Sequence, residues 1–83
     1  MISSMRKEVI QLEQTIQLLG KRLRELRDKK SARMVANALY FTEGTIYKYE
    51  SGNSTPSLQT FLDLCNYYGV TPNYLLGFEE EQK

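Results

Sequence analysis

Histidine and tryptophan are absent from this chain of 83 residues, cysteine occurs once and proline twice. Without histidine, imidazole acid–base catalysis and histidine-ligated metal sites are excluded. A single cysteine, Cys65, can neither close an intrachain disulfide nor build a thiolate zinc site. Its apolar setting, Phe61-Leu62-Asp63-Leu64-Cys65, marks it as a buried small hydrophobe rather than a reactive thiol. No run approaches the roughly 18 apolar residues that a membrane span needs. The stretch after Arg6 and Lys7 is amphipathic and rich in Gln and Glu, whereas a signal peptide needs a continuous apolar core. No two carboxylates are spaced for acid–base work, and no glycine-rich nucleotide loop is present. An enzyme, a bound cofactor and a metal are therefore not expected, and a cytoplasmic location is.

What is present is a hydrophobic content of 41%, enough for one compact core and too little for two. The net charge of +1 conceals an asymmetry. Residues 1–42 carry nine Lys and Arg against four acids, and residues 43–83 carry two against six. Such a division suggests one basic face and an acidic tail.

The apolar spacing is helical throughout, and no strand pattern competes with it. Ile2, Met5, Val9, Leu12, Ile16, Leu19, Leu23 and Leu26 recur at alternating intervals of three and four, the mark of an amphipathic helix with a seam along one side. Ser4 is a suitable N-cap, and Gly20 leaves open one long helix or two. Ser31 is placed to cap a second helix, residues 32–39, with Val35, Ala36 and Leu39 inward. Thr42 caps a third, residues 43–50, stopped by Ser51-Gly52-Asn53-Ser54. Pro56 suits the first turn of a fourth, whose core stripe is Leu58, Phe61, Leu62, Cys65 and Tyr68 and which Gly69 ends. Thr71-Pro72 opens a short fifth helix, residues 73–76, before Gly77. Residues 78–83 form a short acidic tail expected to fray.

The second and third helices are joined by three residues, Tyr40-Phe41-Thr42, which is the spacing of a helix-turn-helix. Ala36 is small enough to let the helices cross. Phe41, Ile46 and Tyr49 are spaced to clamp the third helix from below. Glu43, Gly44, Thr45, Tyr47 and Lys48 are then left facing outward, where such a helix enters a DNA major groove.

Residues 18–77 resemble the Cro/phage-repressor (Xre-type) DNA-binding domain of bacterial and phage regulators. The resemblance is carried by Leu19-Gly20-Lys21-Arg22-Leu23-Arg24-Glu25-Leu26-Arg27 and by Thr45-Ile46-Tyr47-Lys48-Tyr49-Glu50-Ser51-Gly52. It continues through Pro56-Ser57-Leu58, Tyr68-Gly69-Val70-Thr71 and Leu75-Leu76-Gly77. It implies an all-α, five-helix, lambda-repressor-like fold and a transcriptional regulator, expected to be a repressor of bacterial or phage origin whose partner is double-stranded DNA. Carried onto this chain, it implies DNA contacts from Thr42, Glu43, Gly44, Thr45, Tyr47, Lys48, Asn53, Ser54 and Arg33. Arg22, Lys29 and Lys30 would add Coulombic attraction, and Glu50 would pair structurally with Arg22 or Arg24.

The departures are informative. The link after the first helix is about two residues short and holds Lys29-Lys30 instead of a Gly-Leu pair. Ala32 stands where the family often has a phosphate-gripping Gln. Glu43 and Gly44 replace commoner basic and hydroxyl residues; Glu43 can accept from cytosine N4 but repels phosphate.

Residues 1–17 form an N-terminal helical extension outside the resemblance. Its a positions (Ile2, Val9, Ile16, Leu23) and d positions (Met5, Leu12, Leu19, Leu26) favour a parallel two-stranded coiled coil. Glu8 at g would then face Glu13 at e of the partner, a repulsion that an antiparallel pair or small bundle avoids. Leu23 and Leu26 are expected in the domain's own core, which leaves a short seam. Folding back on the domain, self-association through Met5, Val9, Leu12, Ile16 and Leu19, and docking of another protein all remain open. Function favours a homodimer, because two recognition helices about one DNA turn apart read a palindromic operator. A protein-interaction module acting through this helix, as an antirepressor or antitoxin-like protein, is the alternative.

Overall fold

The computed structural model describes residues 2–79, with side chains from Gln11 onward, so the side chains of Met5 and Val9 and the tail residues 80–83 lie outside the described residues. Five helices follow in order: α1 (Ile2–Arg27), α2 (Ala32–Leu39), α3 (Glu43–Ser51), α4 (Leu58–Tyr68) and α5 (Pro72–Leu75). The fold is all-α, as the periodicity predicts. No helix among the described residues is long and apolar enough to cross a membrane.

The helix starts are set by local chemistry. Ser31, Thr42, Ser57 and Thr71 each sit in extended backbone, and each accepts a hydrogen bond from the amide three residues on. That contact satisfies an amide that would otherwise lack a partner at the helix start. The fourth helix corrects the sequence reading, since Ser57 is its cap and Pro56 lies one residue outside. Its stripe is also displaced: Phe61, Leu64 and Cys65 are buried, whereas Leu58 and Leu62 are exposed. At the other end of the chain α1 begins at Ile2, ahead of Ser4.

Gly20 does not divide α1, which runs unbroken for 26 residues. The 17/18 limit of the family resemblance therefore falls inside a continuous helix. Gly20 serves packing instead. A Cβ there would stand 2.5 Å from the carbonyl oxygen of Glu50 and 2.7 Å from that of Tyr49. α1 and the end of α3 thus meet backbone to backbone, which only glycine allows.

The interior has two parts. Leu19, Leu23, Phe61, Leu64, Cys65, Val70 and Leu75 form one, and Ala32, Val35, Ala36 and Ile46 form the other. Leu39 and Tyr68 pack against both and join them. Burial raises the pKa of the Cys65 thiol, which keeps it protonated and inert. Leu19 is 6% exposed within this core, so it is not available to an intermolecular seam, contrary to the heptad reading. Its neighbours on α1 turn along two faces. Gly20, Leu23 and Arg27 meet α3 and the core, while Leu18 and Arg22 meet the α5 end of the domain.

Arg22 shows what the second face does. It is buried rather than available for Coulombic attraction to DNA. Its guanidinium lies 4.3 Å from the Tyr74 ring centre, and its Nη1 donates to the Tyr74 carbonyl and, at 2.7 Å, to the Glu79 carbonyl. The tail is therefore held as far as Glu79 and does not fray at its first residues.

Candidate nucleic-acid interface

The turn before α3 begins with Tyr40, whose backbone is left-handed (φ 62°) and whose amide closes α2 by donating to the Ala36 carbonyl. A side chain in this conformation costs about 1–2 kcal/mol relative to a right-handed setting. Tyr40 is also 94% exposed, so no packing offsets that cost. Phe41 then turns inward. Its ring meets Tyr49 edge-on at 6.4 Å and packs against the cluster that holds the buried Ile46. These are the three anchors expected from spacing, and they clamp one side of α3.

The far end of α3 is locked to α1 by an ion pair. Arg27 Nε donates to Glu50 Oε2 at 2.6 Å and Nη2 to Oε1 at 2.9 Å, with the Glu50 side chain only 6% exposed. The same guanidinium donates to the Lys30 carbonyl at 2.9 Å, closing the turn after α1, and lies 5.6 Å from the Tyr47 ring centre. Glu50 is therefore structural, as expected, but its partner is Arg27 and not Arg22 or Arg24. Arg27 is seven residues beyond Gly20 and so lies on the same face of α1, the face that the fold sets against the end of α3. Hydrogen bonding and attraction to Glu50 raise the Arg27 pKa, keeping it charged. Tyr68, packed nearby, has its pKa pushed up to about 12, first by burial and then by the Glu50 charge.

Held at both ends, α3 presents Glu43, Gly44, Tyr47 and Lys48 to solvent. Thr45 is half-buried, and its hydroxyl shares a 2.9 Å hydrogen bond with the hydroxyl of Thr42, which also accepts from the Thr45 amide. The two threonines thus form a closed pair at the helix start. Arg33, from the first turn of α2, pairs with Glu43 at 3.1 Å. After the helix, the amides of Asn53 and Ser54 both donate to the Lys48 carbonyl, at 3.0 and 3.2 Å. Their side chains, rather than their amides, are what remain for another molecule.

The nine expected contact residues therefore gather on α3, its two flanking turns and the first turn of α2. The charge available there is smaller than the sequence asymmetry suggests. Arg22 and Arg27 are engaged inside the fold, and Lys30 lies 4.9 Å from the Tyr67 ring centre. Among the described residues no cluster of Cys, Asp or Glu is placed to hold a metal ion. A second exposed feature lies on α1, where Leu12 is 61% exposed and Ile16 half-buried beside a groove lined by Thr15, Pro56, Leu58 and Leu76.

Comparison with known proteins gives a consistent result. Residues 18–75 match the family described as a helix-turn-helix domain. The HTH-type transcriptional regulator ImmR of Bacillus subtilis (strain 168) is 37% identical over 67 residues, 78% of this chain and 53% of that protein. The chain thus spans about half the length of this curated relative. No solved structure is a significant match.

Proposed function

The chain belongs to the helix-turn-helix family of DNA-binding regulators, in its Cro/Xre-like form, and on that premise we propose that it is a repressor that occupies a palindromic operator as a homodimer. One observation carries this reading: α3 is clamped by Ile46 and the Arg27–Glu50 pair while its opposite face is left open. A rigid, uncovered helix of this kind fits a major groove with its first turns toward the bases.

In this reading Gly44, Tyr47 and Lys48 approach the groove, with Glu43 and Arg33 beside them. Thr42 and Thr45 face the adjoining backbone, and the Asn53 and Ser54 side chains contact sugar-phosphate. Lys48 supplies the charge that draws the helix to phosphate, and its binding contribution falls as salt rises. Dimerisation runs through α1, by way of Leu12 and Ile16, in the sequence register that Met5 and Val9 share. The domain limits are residues 1–17 for the extension, 18–77 for the DNA-binding unit and 78–83 for the acidic tail.

Selection of bound sequences from random duplex DNA tests the proposal. A recovered motif with twofold symmetry supports the dimeric repressor, and no enrichment at low salt overturns DNA reading. Lys48→Glu is expected to abolish binding to the recovered duplex in an electrophoretic mobility assay while leaving the melting temperature within a few degrees.

A second reading has its own observation. Exposed Leu12, Leu58 and Phe78 form apolar surface that DNA binding does not use. It supports a protein-interaction module, antirepressor or antitoxin-like, whose working surface is α1.

A further inference from the structure

Two charged side chains meet where the first turns of α2 and α3 converge. Arg33 is the second residue of α2 and Glu43 the first of α3, and only the Arg33 Nε joins them, to Glu43 Oε1. The Arg33 side chain is 78% exposed and that of Glu43 45%. An exposed pair of this kind contributes little to folding stability. The recognition helix is braced elsewhere, by Ile46 and by Arg27–Glu50, so the pair has no packing task.

Its position raises an electrostatic question. A lone carboxylate on the first turn of a groove-facing helix repels phosphate. Here the Arg33 charge offsets it. Because the bond uses Nε, both terminal nitrogens of the guanidinium lack a protein partner among the described residues and form an open fork. That fork matches the O6 and N7 acceptors that guanine alone presents as a pair in the major groove.

We propose that Arg33 and Glu43 are one reading unit, in which Glu43 orients the guanidinium and Arg33 specifies a guanine in each half-site. Glu43 is the positioning residue and makes no base contact of its own. The proposal rests on the DNA-binding reading above, and it reverses the expected sign of one substitution. If Glu43 merely repelled phosphate, its removal would tighten binding to any duplex. If it orients Arg33, its removal weakens binding to the recognised sequence.

The experiment uses the full chain and the duplex recovered by selection, beside a scrambled duplex of equal length. Dissociation constants are measured for the unsubstituted protein, Glu43→Ala, Arg33→Ala and the double variant, with melting temperatures as a check that each is folded. Glu43→Ala is expected to weaken binding to the selected duplex roughly fivefold or more, the discrimination carried by one bidentate base contact. In the Arg33→Ala background the same change is expected to tighten binding to both duplexes. Replacing the specified guanine by 7-deazaguanine is expected to weaken the unsubstituted protein and leave Arg33→Ala unchanged. Tighter binding by Glu43→Ala to the selected duplex in both backgrounds overturns the proposal. So does an Arg33→Ala loss that is equal on selected and scrambled duplexes, which marks a phosphate contact. In either case Lys48→Glu still abolishes binding, so the pair fails while the DNA-binding reading stands. If the unsubstituted protein enriches no sequence, both fail.

Discussion

Two glycines on helices illustrate how one residue type serves opposite ends. Gly20 and Gly44 both lower helix propensity, each by up to about 1 kcal/mol relative to alanine. At Gly44 a Cβ meets only the Thr42 hydroxyl oxygen, at 3.9 Å, so there is room for it. Gly44→Ala is therefore expected to raise stability by up to about 1 kcal/mol. At Gly20 the Cβ would press on two backbone carbonyls that cannot swing aside. Gly20→Ala is expected to destabilise by about 1–3 kcal/mol, the usual range for overpacking, and to shift α3. Urea unfolding of both variants checks the pair of signs. Tyr68 provides a pH signature at the same scale. Its folded pKa, about 12, exceeds the ordinary value of 10.0 that the unfolded chain has. Below pH 10 both states hold the proton and Tyr68 adds no pH dependence. Between pH 10 and 12 the unfolded chain releases it first, so stability falls as pH rises. Tyr68→Phe is expected to flatten the decline in that window, measured by denaturation at each pH.

At the scale of elements, the setting of α3 against α1 decides what the recognition helix can do. It rests on Gly20 for proximity and on Arg27–Glu50 for rotation. Removing one partner of a largely buried pair leaves the other uncompensated and costs about 3 kcal/mol. Glu50→Ala is expected to lower stability by that amount and to weaken DNA binding beyond the loss of folded protein. Arg27→Met with Glu50→Leu is expected to recover much of the stability and less of the binding, because a hydrophobic pair restores packing without fixing rotation. Thermal unfolding and DNA titration on the same samples separate the two effects. Helix starts were the most legible elements: Ser31, Thr42 and Thr71 announce them by residue type alone. At the fourth helix Pro56 and Ser57 are both good starting residues, and only backbone geometry selects Ser57. The core stripe of that helix slipped for a related reason. Leu58, Phe61, Leu62, Leu64 and Cys65 share one apolar arc of about 160°, and the fold buries only the Leu64–Phe61–Cys65 side of it, so periodicity finds the stripe but not its buried edge.

For the whole molecule, the proposed dimer places its contact on α1. α1 has 26 residues, about 39 Å at the usual rise per residue, and its turn at Gln11–Gln14 is exposed. Leu12→Glu with Ile16→Glu is expected to convert a dimer to a monomer in sedimentation equilibrium. Operator binding is expected to fall at least tenfold, because single recognition helices then bind independently. Unchanged mass would remove α1 as the dimer contact. Residue type and spacing suffice for the class of fold, the helix-turn-helix and most caps, since each is written along one helix or along two helices joined by a short turn. It also placed Phe41, Ile46 and Tyr49 beneath the third helix. Packing of helix on helix was needed to turn Leu19 into the core, to bury Arg22 at α5 and to pair Glu50 with Arg27. Those outcomes depend on how one helix is rotated against another. Each residue step turns a helix by about 100°, so neighbouring arginines with the same chemistry end in different surroundings.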